Sequence, residues 1–162
     1  MAKITTAEEA LAAVRKDGKT LKDVPEKLKT TEICLEAVKQ QSSYHAAYHG
    51  SVSPEDFAFT FVPENLKTPE ICLIALKQRA DEYMHMSVPE NAKTAEVCLE
   101  MVRRNGSRLK EVPEKLRTVE LCLEAVKKLS PPPSFLEPNW DRFADVPEKL
   151  REEVRRRYES GE

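Results

Sequence analysis

Apolar and polar positions along the chain repeat as a phrase. VPEKLKTTEICLEAVKQ, from Val24 to Gln40, returns as VPENLKTPEICLIALKQ from Val62, as VPENAKTAEVCLEMVRR from Val88 and as VPEKLRTVELCLEAVKK from Val112. A fifth copy opens at Val146 as VPEKLR and then departs. Successive valines lie 38, 26, 24 and 34 residues apart, so the basic unit is 24 residues with insertions. Self-similarity at such a period predicts one supersecondary unit used repeatedly.

Within each copy the pattern predicts two helical elements. Thr30, Thr68, Thr94 and Thr118 stand where a helix N-cap belongs, followed two places on by Glu32, Glu70, Glu96 and Glu120. A threonine hydroxyl accepts an orphan N–H, and the early glutamate suits the positive end of the helix dipole. Pro69 directly after Thr68 fits the first helical position. At about 100° per residue, Ile33, Ala37, Cys34, Val38 and Leu35 cover an arc of roughly 200°. So wide an apolar face predicts a helix with neighbours on both sides, as in a stacked layer. Upstream, Val24, Pro25 and Leu28 leave room only for one α or 3₁₀ turn before the cap.

No strand signal intervenes, so the expected fold is all-α: a short α-solenoid of 24-residue helix-plus-short-helix repeats, forming a single domain over 1–162. Capping units are expected at about 1–23 and 146–162, and insertions at about 41–60 and 129–143. In the opening helix, Glu9 and Ala10 replace the Ile and Cys of later copies, slots expected to meet a preceding repeat that is missing here. At the other end, Leu150, Val154 and Tyr158 form one narrow apolar stripe with arginines outside it.

The phrase VPExLxTxExCLxAVKxxG, completed by Gly106 and Leu109 in RRNGSRLKEVPEKL, resembles a bacterial helical-repeat family known only as a domain of unknown function. The resemblance covers most of the chain outside two insertions. It implies a helical repeat fold and no catalytic residues. The period is also similar, more weakly, to that of leucine-rich variant repeats.

Charge and cysteine narrow the functional classes. A third of the residues are charged, with both signs interspersed and a net charge of −2, which gives no broad attraction to nucleic acid or anionic membrane. MAKITTAEEALAAV lacks the roughly seven uninterrupted apolar residues of a signal peptide. No stretch reaches the roughly 18 of a membrane span. A cytoplasmic, soluble protein is the expectation. Cys34, Cys72, Cys98 and Cys122 each fill the same slot of a separate copy. Packed helix axes lie about 8–10 Å apart, whereas a disulfide needs Cα atoms within roughly 7 Å. Without CxxC or Cys/His spacing for zinc, the four read as small buried thiols, and no cofactor is expected.

Function has to be sought where the copies differ. All the length variation falls between the longer helix and the next short turn, in QSSYHAAYHGSVSPEDFAFTF, RADEYMHMS and LSPPPSFLEPNWDRFAD. Nine of the ten aromatic residues and all three histidines lie in these connectors. Because each connector joins the same two elements, all are expected along one edge, where solenoids often bind partners.

Phe59 and Phe143 share the slot of Leu21 and Leu109 and read as core; His85 in that slot reads as partly buried and hydrogen-bonded. Phe61 stands where other copies carry Asp23, Ser87, Glu111 and Asp145, and Ile74 stands where they carry Glu36, Glu100 and Glu124. Both read as apolar groups at solvent-facing slots, hence as partner-binding residues. Trp140, Phe135, Tyr44 and Tyr48 join them as anchor types favoured at interfaces, with His45 and His49 beside them. PPPS at 131–134 reads as a stiff spacer.

Two readings follow. The first is a non-enzymatic module (inhibitor, immunity protein or adaptor) whose partner is another protein, neither nucleic acid nor membrane. The alternative is a small metal-binding protein or enzyme centred on His45 and His49, four apart on one helical face but without an HExxH glutamate. The row Lys39, Lys77, Arg103 and Lys127, interleaved with glutamates, reads as a solvated face.

Overall fold

Proline shapes the first half of each copy. Pro25, Pro63 and Pro113 sit at φ −55°, −55° and −53° with extended ψ, and each carbonyl accepts the N–H of a leucine three residues on, at 2.8–2.9 Å. The outcome is a single 3₁₀ turn at Glu26–Leu28, Glu64–Leu66, Glu90–Ala92 and Glu114–Leu116. A threonine then ends it. The hydroxyls of Thr30, Thr68, Thr94 and Thr118 each accept the N–H three residues on at 3.3 Å, as the pattern requires of N-caps.

A computed structural model describes residues 4–41, 57–78, 88–129 and 144–162. Among them the protein is all-helical, without strands: α1 (Ala7–Lys16), α2 (Thr31–Gln41), α3 (Pro69–Lys77), α4 (Ala95–Arg104), α5 (Val119–Leu129) and α6 (Glu148–Ser160), with 3₁₀ turns between. The chain forms two compact units, Met1–Ala92 and Lys93–Glu162, so the single domain anticipated over 1–162 is described in two parts.

In the first unit α2 packs between α1 and α3, and also against the 3₁₀ segments Gly18–Asp23 and Ala58–Phe61. Its wide apolar arc is thereby used: Ile33, Cys34, Ala37 and Val38 are all buried. In the second unit α5 takes the same place, between α4 and α6 and against the 3₁₀ segment Gly106–Glu111. Cys98, Val102, Leu109, Val112, Leu121, Cys122, Val126, Val146 and Val154 form one apolar cluster there. Gly106 makes the closest approach. A Cβ at that position would lie 2.2 Å from the Ala125 carbonyl oxygen and 2.8 Å from Leu129 Cγ, so no other residue fits without moving α5.

The end helices depart from the phrase in different ways. On α1 the slot of Ile33 is taken by Glu9, which is exposed, and the slot of Ala37 by Ala13, which is half-buried. Ala10, expected to lose its cover, is instead fully buried with Val14. The correction is geometric. Residues 9 and 13 share one face, while 10 and 14 lie about 100° round, against the elements that follow. Glu9 gains a separate use. Its carboxylate accepts from the Thr5 N–H (2.7 Å), the Thr5 hydroxyl (2.9 Å) and the Thr6 N–H (3.2 Å), completing a capping box with Thr6. These bonds, the Thr5 backbone bond foremost, hold its carboxyl below the usual range. On α6 the anticipated narrow stripe is present: Val154 is fully buried, with Leu150 and Tyr158 packed beside it.

Candidate functional site

The part of the connector edge that the structure describes begins at Phe57. Extended backbone there leads into the 3₁₀ segment Ala58–Phe61, whose period of three sends successive side chains in different directions. Ala58 and Phe59 point inward and are buried, so Phe59 is core, like Leu21 and Leu109 in the same slot. The Lys67 ammonium lies 4.9 Å from the centre of its ring. Thr60 is exposed and Phe61 half-buried.

The slot of Phe61 is therefore less open than its occupants suggested. Glu111 and Asp145 are half-buried in the same slot, and only Asp23 is exposed. The reason lies in the backbone. Lys29, from the preceding copy, donates its ammonium to the Phe61 carbonyl at 3.0 Å, and its side chain is only 5% exposed. That contact draws the turn against α2's own copy. It was not anticipated.

Ile74 is half-buried on α3, and its slot has a recurrent electrostatic meaning. Arg15 on α1 reaches Glu36 on α2 at 3.5 Å, and Arg103 on α4 reaches Glu124 on α5 at 3.7 Å. Both pairs join the same two slots of successive helices. Between α2 and α3 the equivalent residues are Lys39 and Ile74, and Lys39 pairs with Glu36 on its own helix instead, at 3.6 Å. Ile74 thus removes the acidic half of an inter-helix rung. The basic row itself is exposed at Lys39, Lys77, Arg103 and Lys127, consistent with a solvated face.

The cation five residues after the VPE valine is the feature that sequence reasoning passed over. It is Lys29, Lys67, Lys93, Arg117 and Arg151 in the five copies. Lys29 and Lys67 bind the carboxylates of Glu26 and Glu64 at 2.5 Å, and their side chains are 5% and 10% exposed. Arg117 donates from Nε to the Val112 carbonyl (2.9 Å), from Nη1 to that of Asp145 (2.7 Å) and from Nη2 to that of Lys110 (3.2 Å). Arg151 repeats the bonds within its own copy, to Val146 at 3.0 Å and Ala144 at 3.3 Å. The recurrence of a basic residue at one spacing was the available signal.

The other expected site residues, Tyr44, His45, Tyr48, His49, Phe135 and Trp140, lie outside the described residues. So do His85, Phe143 and the PPPS run, and with them the shared edge of the three connectors. Among the described residues no group of three or more His, Cys, Asp and Glu is placed to hold a metal ion, and no helix is long and apolar enough to cross a membrane. The four cysteines are free and buried, as expected. Burial pushes the Cys34, Cys72 and Cys122 thiols up to about 11, so at neutral pH they are protonated and poor nucleophiles.

Comparison with known proteins adds one finding. A family described as a domain of unknown function (DUF4116) matches residues 8–47, which run from α1 through α2. No curated protein and no solved structure matches the chain.

Proposed function

We propose that the chain is a non-enzymatic, cytoplasmic repeat module that binds another protein through the connectors between its longer helices and the turns that follow. An inhibitor, an immunity protein or an adaptor would fit that description. The reading is supported by the division of labour within the phrase: valine, proline, threonine and cysteine slots serve the fold, and the variable chemistry collects in the connectors. One observation carries it. Phe61 stands half-exposed at a slot where the described equivalents are acidic, on a turn whose backbone is tied down by Lys29. A fixed, partly exposed aromatic is what an interface anchor requires. Ile74, which replaces the acid of an inter-helix rung, extends the same argument to α3.

The test has two steps. The partner is identified by crosslinking and capture in the native source, and then titrated as a purified protein against variants of the full chain. Phe61→Asp, Ile74→Glu and Trp140→Ala should each weaken association by about tenfold or more, with the melting temperature of the free protein nearly unchanged. Ile74→Glu is the most informative, because a carboxylate there restores a rung to Lys39 while removing the apolar group. Unchanged affinity in all three variants would remove the connector edge from consideration. Stoichiometric metal in the purified protein, lost in a His45→Ala/His49→Ala double variant, would favour the metal-protein reading.

A further inference from the structure

We infer that the cation five residues after the VPE valine is a latch that reads only the backbone of the following copy, leaving the side chain it fastens free to vary. Two bonds carry this. Lys29 Nζ donates to the Phe61 carbonyl at 3.0 Å, and Arg117 Nη1 donates to the Asp145 carbonyl at 2.7 Å. Phe61 and Asp145 hold the same slot, immediately before the next VPE valine, and differ in charge, polarity and size. A carbonyl oxygen is common to every residue, so a donor aimed at it makes no demand on the side chain.

The location of the acceptor explains why a cation is needed there. Phe61 ends the 3₁₀ segment Ala58–Phe61, and carbonyls at the end of a helical turn lack partners within it. A charged donor satisfies such a carbonyl more strongly than a neutral one. The bonds within the copy then aim the donor. In Arg117 they run to Val112 and Lys110, and Arg151 makes the corresponding two bonds, to Val146 and Ala144, where the sequence supplies no following VPE phrase. In Lys29 the same aiming comes from Glu26. Lys67 has Glu64 in that place; the residue its latch would address, Ser87, lies outside the described residues.

The device stands apart from the binding reading, since it concerns how a connector end is held and not what it meets. It makes the position before each VPE valine a place where side chains can be exchanged without loosening the turn.

Hydrogen exchange on the full chain tests it. The reporter is the Val62 amide, which donates to the Phe59 carbonyl at 3.2 Å directly beside the latched residue. Lys29→Met should speed exchange at Val62 by about tenfold or more, while Lys29→Arg should keep it within about threefold of the parent. Phe61→Asp and the reciprocal Asp145→Phe should likewise stay within about threefold at their own turns. If Phe61→Asp loosens the turn as much as Lys29→Met, the side chain matters and the inference fails. Unchanged exchange in Lys29→Met would overturn it equally. Should Lys29→Met not fold, Lys29→Arg still decides: native exchange supports the latch, and loss of protection sinks it.

Discussion

Lys29 in the first unit and Arg117 in the second occupy the same place in the same phrase, yet they hold their surroundings differently. The lysine concentrates its charge at one atom, so it reaches one carbonyl and leans on the carboxylate of Glu26. The arginine spreads its donors over a planar fork and engages three carbonyls at once, leaving Glu114 exposed to solvent. One slot therefore serves one purpose with two chemistries. The guanidinium ties two copies together by itself, whereas the ammonium needs a nearby acid to stay buried.

That contrast can be broken first at its stronger end. Arg117→Met orphans three carbonyls, and we expect it to destabilise the second unit by about 3 kcal/mol, read by denaturant unfolding of the full chain with hydrogen exchange to locate the loss. Lys29→Met removes one carbonyl bond and one ion pair, for an expected loss of about 1.5 kcal/mol confined to the first unit. Equal losses would mean that the fork confers no advantage.

The caps offer a control in which the units should agree. Thr68 and Thr118 make the same bond at 3.3 Å, so Thr68→Ala and Thr118→Ala should each cost about 1 kcal/mol. A large difference between them would show that the units differ in more than their cations.

The smallest effect at neutral pH belongs to the thiols. Cys34, Cys72 and Cys122 ionise near 11 when folded, against an ordinary value of 9.0. A raised value means that the stability it contributes is complete below pH 9 and is lost as pH climbs through 11. Replacing any of the three by alanine should flatten the alkaline limb of a stability–pH curve in its own unit and leave the curve's slope near pH 7 unchanged.

Much of the fold was legible because the responsible physics is local. A threonine before a glutamate-led apolar run caps a helix wherever it occurs, and five residues between proline and cap admit only a short turn. The buried cysteine slot and the stripe through Val154 follow from helical period alone. The cation slot was not legible from a single copy. A lysine among glutamates reads as solvated, and its burial depends on a carbonyl supplied more than 25 residues away in sequence, as between Lys29 and Phe61. Comparing all five copies would have exposed it, since every one carries Lys or Arg there. Ala10 was misjudged for a related reason: two adjacent slots were assigned one neighbour, although they face different elements. Of the proposed contact residues, Phe61 and Ile74 were found at the right slots, which proved half-buried because a latch and an ion-pair rung occupy them.

The hexapeptide VPEKLR occurs twice, from Val112 and from Val146, and the two prolines share nearly the same backbone angles. One copy closes after a single turn at Glu114–Leu116; the other opens the 13-residue helix α6. What separates them is the seventh letter, Thr118 in one case and Glu152 in the other. A hydroxyl that captures the next helix's N–H punctuates the chain, and a strong helix former lets it run on. Whether the phrase is restarted or resolved into a terminal rod is thus decided at one position, and the identical letters before it are syntactically neutral.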